Sequence, residues 1–435
     1  MNPCTRLCRP LPRLSATPPD GFVILANPRA DDGIRTRDPH LGKVMRYQLR
    51  YVRTLLDGCP SSEAKDYLTT NDRPEAEGSR APGQAIAMNE SGAPRLGAAA
   101  TPMARFGDEY AYDLAELSHD IESIKGGGRW AVMIPFSGKP VFARFTSWEI
   151  EPREATIGSW LGVDPSTWTT SMDQELYEGA VDSTRSAISQ GNVYQVNICR
   201  IRSNACHTNS DIMALDALLA VGNYAPFAGA LRIAEVGVHI ACASPELYLS
   251  REGLQLVSKP IKGTAESASG LLEKDRAENI MIVDLVRNDL SRCCVVGSVK
   301  AVDLLEVQEH PGLVHLVSTV RGELAQHVEW PNIIEATFPP GSIAGAPKIA
   351  ALDMIDSLEP EDRGPYCGAF GWIDADKQTA ELAVAIRTFW VDGELLKFGT
   401  GAGITWGSDP HTEWEETQLK ARHLASIAEQ NWNSS

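Results

Sequence analysis

Lys262 lies at a shaped corner, in the run PIKGT (260–264) that follows the strand-like stretch 254–257. Pro260 withholds a backbone donor, and Gly263 permits a close approach that a side chain forbids. An amine held there could serve as a nucleophile once it has lost its proton; a solvated lysine on a surface turn is the plainer alternative. The stretch 410–430 reads as a helix, capped by Ser408 or Asp409 with Pro410 in its first turn. It sets Glu413, Glu416 and Lys420 on one stripe, with Leu419, Leu424 and Ile427 on other faces. Just before it, Gly401-Ala402-Gly403 would let a ligand approach the backbone. Glu278 borders the apolar face made by Met281, Ile282 and Leu285 on a second helix. With Glu416 it could hold Mg²⁺, which binds through one or two carboxylates, water and an anionic substrate; a salt-bridged surface is the alternative for each. Glu246 follows Ser244-Pro245 at the start of a strand, where desolvation would suit a general acid. His315 stands in an apolar strand, where a lone histidine is more often a satisfied core residue. Arg387, in the otherwise buried run 385–388, needs an anion: a ligand carboxylate or an internal partner.

The elements that position these groups can be read from period and punctuation. The runs 130–135 and 140–145, parted by Ser137-Gly138-Lys139, predict a hairpin. Helical spacing predicts helices over 173–190, near 211–221, and over 275–290, 330–337, 348–357 and 410–430. Strands are expected over 193–198, 231–242, 246–250, 369–373, 379–391 and 397–400. Helices fall between groups of strands rather than after each one. This predicts an α+β fold, mostly antiparallel and layered, rather than a doubly wound sheet.

Composition sets the outer bounds. A chain of 435 residues with 43% hydrophobic and 22% charged residues is that of a soluble globular protein. A net charge of −17 argues against nucleic acid as the main partner. No apolar run approaches the roughly 18 to 20 residues of a membrane helix, so no membrane is expected as a partner. Nine scattered cysteines without zinc spacing predict reduced, buried thiols and a cytoplasmic location. Residues 1–102 differ from the rest, being rich in Pro, Gly, Ala, Ser and Arg, with 14 Lys/Arg against 11 Asp/Glu. Such a tract buries too little apolar surface to offset its chain entropy and is expected to be disordered. Within it, residues 31–53 resemble translation through a transfer-RNA gene, which implies an over-extended start with the true one near Met88 or Met103. The expected organisation is this tract, N-terminal strands over 103–172 packing on the core, and a catalytic domain over 173–428.

Taken together, the runs resemble the chorismate-utilising enzymes, which include the component I chains of anthranilate and aminodeoxychorismate synthases and the isochorismate and salicylate synthases. The resemblance rests on GNVYQVN (191–197), SPE (244–246), PIKGT (260–264), ENIMIVDLVRNDL (278–290), VHLVSTVRG (314–322), FPPGSIAGAPK (338–348), AIRT (385–388) and GAGITWGSDPHTEWEETQLKA (401–421). It implies a large layered fold with a deep Mg²⁺ site. Glu278 and Glu416 resemble the metal ligands, and Glu413 the residue that holds metal-bound water. Thr264 and the backbone of Gly401, Ala402 and Gly403 would hold the ring carboxylate of chorismate, with Lys420 offsetting charge nearby. Tyr366 and Arg387 resemble the grip on the enolpyruvyl carboxylate, His315 the ring contact, and Glu246 the acid that protonates the departing 4-hydroxyl.

Two positions separate the family's members. Those that add water to the ring carry a lysine where Gln195 stands, and glutamine cannot take a proton from water. Lys262 resembles the para-aminating members, in which a lysine adds to the ring before ammonia enters; ortho-aminating relatives usually carry alanine there and are the alternative, together with an inactive relative kept as a binding partner. The run after Thr264 departs from the family's pattern, and no motif for tryptophan feedback is found. No glutaminase sequence is present either, so the resemblance implies a separate glutamine amidotransferase subunit as the source of ammonia.

Overall fold

The computed structural model describes residues 101–432, apart from 154–156, 224, 266, 272 and 311–312; the side chains of Thr264, His310 and Leu313 also lie outside the described set. The expectation of disorder over 1–102 falls almost wholly outside the described residues. Apart from Gln190–Asn192, the described residues belong to one unit.

Every strand pairing among the described residues is antiparallel, and the pairs link into one ladder. Near one end is the strand Gln195–Ala205, whose outer edge carries the two-residue strands Thr169–Thr170 and Gly345–Ala346; it takes the strand Leu395–Ile404 along its length, from Leu395 opposite Ala205 to Ile404 opposite Val196. From there the ladder runs through Thr388–Asp392, Val238–Ser244 and Phe227–Ile233 to the N-terminal strand Met103–Phe106. The strands of 103–172 are thus members of the ladder. Glu109–Ser118, Val141–Glu149 and Arg129–Ile134 carry it on to Ala369–Asp374. It then passes through Thr379–Val384, Leu247–Glu252 and Gln255–Lys259 to Leu313–Glu323. Lys300–His310 closes that end.

Seven α-helices lie among the described residues: α1 (Gln174–Ser189), α2 (Ile212–Gly222), α3 (Glu273–Ser291), α4 (Trp330–Thr337), α5 (Gly341–Ala344), α6 (Lys348–Leu358) and α7 (Pro410–Ala428). The fold is therefore α+β. Helices cover the sheet because their apolar stripes need a partner. In α1, Tyr177, Ala180, Val181 and Thr184 are buried, and the first three join Val196, Ile198, Ala402, Ile404 and Trp414 in one cluster. Helix α3 buries Ile282, Val283, Val286 and Leu290. Met281 and Leu285, expected on its apolar face, are half-buried at the edge of that stripe. On α7, Leu424 and Ile427 are buried, whereas Leu419 is exposed. Large core side chains such as Trp130, Phe142, Phe370 and Phe398 are each fully buried, worth roughly 1.5–3 kcal/mol apiece.

Two expected strands are each two in the structure. The run 231–242 folds back on itself: Ala234–Val236 makes a turn of 3₁₀-helix, and Gly237 at φ 70° lets the chain reverse. The run 379–391 breaks at Ala385–Arg387, where Arg387 adopts φ 52°. The halves pair with different neighbours, Leu247–Glu252 and Val238–Ser244. The six described cysteines, Cys199, Cys206, Cys242, Cys293, Cys294 and Cys367, are free and buried. No helix among the described residues is long and apolar enough to cross a membrane.

Candidate active site

Lys262 sits on the short strand Ile261–Ala265, paired with Leu313–Glu323. The pairing register shifts between Ile261 and Thr264, and Gly263 within that shift adopts φ 85°. A Cβ at Gly263 would also meet the Asp275 side chain at 2.8 Å. Glycine is required here both for conformation and for room. Past the irregularity, Thr264 stands opposite His315, a buried residue one strand away.

The Lys262 ammonium donates to the carbonyl oxygen of Ser342 at 3.2 Å. The Ser342 hydroxyl is hydrogen-bonded to the Glu246 carboxyl. Glu246 is buried at the corner between Val238–Ser244 and Leu247–Glu252. Ser244 fixes that corner: its hydroxyl donates to Val384 O at 2.6 Å and accepts from Glu246 N at 3.2 Å. Burial is the largest influence on the Glu246 carboxyl and raises its pKa to about 7; the Ser342 hydroxyl, the Lys262 charge and the Ile261 amide oppose the rise. Glu246 also borders a cavity of about 20 Å³ with Pro260 and Ser342, room for a water but not for an organic substrate.

Gly403 brings the final strand against this lysine. A Cβ there would lie 3.4 Å from Lys262 Nζ and 2.3 Å from the amide nitrogen of buried Gln195. The Gln195 side-chain amide oxygen, Oε1, is buried without a hydrogen-bond partner. Gly401 is equally tight, with Ile198 O 2.5 Å from where its Cβ would be.

Helix α7 starts where expected, with the Asp409 carboxylate accepting from Thr412 N at 2.9 Å; such a cap contributes about 1 kcal/mol. It buries Glu413 and leaves Glu416 and Lys420 on the accessible side. The Lys420 ammonium lies 2.6 Å from Glu416 and donates to Gly401 O at 3.1 Å. From α3, Lys274 reaches across to Glu413 at 3.3 Å and stands 3.7 Å from Glu278, one turn along its own helix. Burial raises the Glu278 pKa, against the pull of Lys262 and Lys274 and with the repulsion of Glu413 and Asp275. Burial also works against the charged form of Glu416, but Lys420, Lys274 and Lys262 outweigh it and its pKa is lowered. Lys262, Lys274, Lys420 and the three glutamates therefore share one electrostatic neighbourhood.

Among the described residues no three His, Cys, Asp or Glu side chains form a ready-made coordination shell. The donor set still suits a hard divalent cation, because carboxylate oxygens are what Mg²⁺ takes. Glu278 Oε1 is buried without a hydrogen bond, and the charge near it is the Lys274 ammonium, held between Glu278 and Glu413.

Arg387 is presented by the strand break, its carbonyl accepting from Ala243 N at 3.0 Å. Its half-buried guanidinium pairs with no carboxylate among the described residues, and burial lowers its pKa. Tyr366 is buried with its ring against Gly399, where a Cβ would fall 2.2 Å from ring atoms. The structure thus gathers Lys262, Glu246, Glu278, Glu413, Glu416, Lys420, Gly401 and Gly403 at one end of the strand Leu395–Ile404. Tyr366 packs farther along that strand, and Arg387 joins the region through the corner next to Glu246. Sequence reasoning missed Lys274 and Ser342. The i, i+4 spacing of Lys274 and Glu278 was a usable signal; Ser342 lies in the run 338–348, but nothing there marks its tie to Lys262, 80 residues away.

The sequence profile of the family described as chorismate binding enzyme matches residues 153–426. The chain belongs to that family. The anthranilate synthase component 1 of Saccharolobus solfataricus is 36% identical over 271 residues, covering 60% of this chain and 63% of that protein. The aminodeoxychorismate synthase component 1 of Escherichia coli is 34% identical over 271 residues, covering 60% and 59%. The match thus spans less than two thirds of either relative. Among solved structures, anthranilate synthase component I from Streptococcus pneumoniae superposes with a TM-score of 0.62 at 21% identity, over 85% of this chain and 98% of that one. The menaquinone-specific isochorismate synthase from Escherichia coli gives 0.63 at 17%, over 78% and 92%. These two likenesses bear on the fold.

Proposed function

We propose that the chain is component I of an aminodeoxychorismate synthase, which converts chorismate and ammonia to 4-amino-4-deoxychorismate on the way to 4-aminobenzoate and folate. One observation carries this reading: the Lys262 amine and the Glu246 carboxyl meet at Ser342. A carboxyl with a pKa of about 7 still holds its proton in a large share of molecules at neutral pH. That pairs a nucleophile with a proton donor.

In the proposed reaction the neutral Lys262 amine attacks ring carbon 2. Both ring double bonds shift, the bond from carbon 4 to its hydroxyl oxygen breaks, and Glu246 gives its proton to that oxygen, which leaves as water. Ammonia then adds at carbon 4, both double bonds shift back, and Lys262 leaves carbon 2. The nitrogen entering carbon 4 sheds one proton, which restores the acid. One displacement becomes two. Glu278 and Glu416, with Glu413 beside them, would hold Mg²⁺, which would supply positive charge for the ring carboxylate of chorismate. Lys420, Thr264 and the backbone at Gly401, Ala402 and Gly403 hold the same end. Arg387, with Tyr366, takes the enolpyruvyl carboxylate, which would satisfy its unpaired guanidinium. His315 contacts the ring. Ammonia comes from a glutamine amidotransferase subunit, and the site of action is the cytoplasm.

Relatives of both kinds match at similar identity, which keeps ortho amination as the second reading. Incubating the full chain with chorismate, Mg²⁺ and ammonium separates the two. The expected product is 4-amino-4-deoxychorismate. Fluorescent anthranilate formed without an added lyase would refute the proposal, and no turnover would favour an inactive relative.

A further inference from the structure

On the strand Gln195–Ala205, Arg200 and Arg202 point to the same face, as alternate residues do. Arg200 is 2% exposed. Its guanidinium donates to Thr417 Oγ1 at 3.0 Å, Thr170 Oγ1 at 2.9 Å and Gln418 Oε1 at 3.0 Å. All three acceptors are neutral. Among the described residues no carboxylate lies within ion-pairing reach of Arg200 or Arg202. Burial, and next the like charge of Arg202, depress the Arg200 pKa to about 10.

A buried cation without a counter-ion is costly, and here the half-buried Arg202 shares the wall with Arg200. Two acids lie nearby, each with a hydrogen bond of its own, and Asp173 lines the same cavity as the arginines. Asp173 accepts from Leu176 N at 3.0 Å at the start of α1. Glu429, the longer-range counter-charge to Arg202, accepts from Trp168 Nε1 at 2.9 Å. Both arginines face a cavity of about 200 Å³ whose walls include Trp168 and Trp414. The guanidiniums lie over those rings, Arg200 at 4.3 Å from Trp414 and Arg202 at 5.2 Å from Trp168. The ring contacts hold the guanidiniums in place on the cavity wall, Arg202 being the more exposed of the two.

We propose that this cavity is a second ligand site, which binds a small organic carboxylate through Arg202 and Arg200 with its apolar body against the two tryptophans. The aromatic walls favour a carboxylate with an apolar body over inorganic phosphate, which would gain nothing from them. The site uses none of the residues placed in the proposed reaction, so it stands or falls apart from that reading.

Calorimetric titration of the full chain with benzoate, and separately with inorganic phosphate, tests the proposal. One benzoate site is expected in the wild type, with phosphate weaker. Arg202→Gln should weaken benzoate at least ten-fold. Gln418→Glu places a carboxylate beside Arg200; it should also abolish the site, while raising the melting temperature. Arg387→Gln should leave benzoate binding as in the wild type. The proposal is overturned by no benzoate binding, by phosphate binding in its place, or by Arg202→Gln and Gln418→Glu proteins that both bind like the wild type. Loss of binding in Arg387→Gln alone would overturn it as well, by moving benzoate to the other site. Should Arg202→Gln fail to fold, Gln418→Glu decides.

Discussion

Lys262 and Glu246 are joined through a single residue: Ser342 accepts from the Lys262 ammonium with its carbonyl oxygen, 3.2 Å away, and engages the Glu246 carboxyl with its hydroxyl. The amine and the acid are 16 residues apart in the chain, yet a third segment, the short helix α5, sets their spacing.

Replacing the amine tests its chemical role. Lys262→Ala is expected to depress product formation by orders of magnitude and leave chorismate and Mg²⁺ binding largely intact. Stopped-flow turnover alongside calorimetric titration separates the two effects. A variant with the full rate would remove covalent catalysis from the mechanism.

The acid predicts a pH dependence in both rate and stability. Glu246 donates its proton only below its folded pKa, so the rate should fall as pH rises past about 7. Because the folded pKa lies above the unfolded value near 4.5, the native state binds the extra proton between pH 4.5 and about 7. Its contribution to stability is complete below 4.5 and declines as pH climbs through that window. Glu246→Gln should abolish that slope in urea unfolding and cost on the order of 10²–10⁴-fold in rate. An unchanged slope would assign the window to another group.

Lys274 competes for the carboxylates. Its ammonium, between Glu278 and Glu413, repels any divalent cation that approaches them. Half-exposed pairs of this kind are worth about 0.2–1 kcal/mol. Lys274→Met is therefore expected to tighten Mg²⁺ binding roughly two- to five-fold at low ionic strength, measured by titration of the enzyme without substrate. Weaker binding in the variant would show Lys274 to be an organiser of the site instead.

Gly403→Ala examines the crowded approach of the last strand. Its new methyl would fall 2.3 Å from the Gln195 amide nitrogen and 3.4 Å from Lys262 Nζ. Both are ends of flexible side chains, which can give way. The fold should hold, with a melting temperature near the wild type, while the rate falls with the displaced amine. A large loss of stability would mean that the backbone, not the side chains, has to shift.

Much of this arrangement is legible in the sequence because its elements are strongly patterned. Helix α7 carries its cap, its proline and its buried stripe in order, and the glycines before it mark the close approach at Gly403. The break at Arg387 was not legible: residues 385–388 continue an apolar run, and only the change of pairing partner at either side of the break reveals it. The strand Lys300–His310 was missed for the opposite reason. Most of its side chains are exposed, so no buried face imposes a period of two. The reach of Lys274 to Glu413 and of Lys262 to Ser342 spans 139 and 80 residues, beyond what local spacing encodes, although the i, i+4 pair of Lys274 with Glu278 is local.

That same outer strand has a bearing on solubility. Among the described residues it pairs on one side only, with Leu313–Glu323, so its free edge could template another chain. Leu305 interrupts it at φ 60° inside a register shift, with its amide turned to the Ser318 hydroxyl. Lys300, Asp303, Glu306 and Glu309 flank the kink. A bent, charged margin is a poor template for strand addition. Among the described residues this rim of the sheet is thereby made a poor seat for further copies of the same chain.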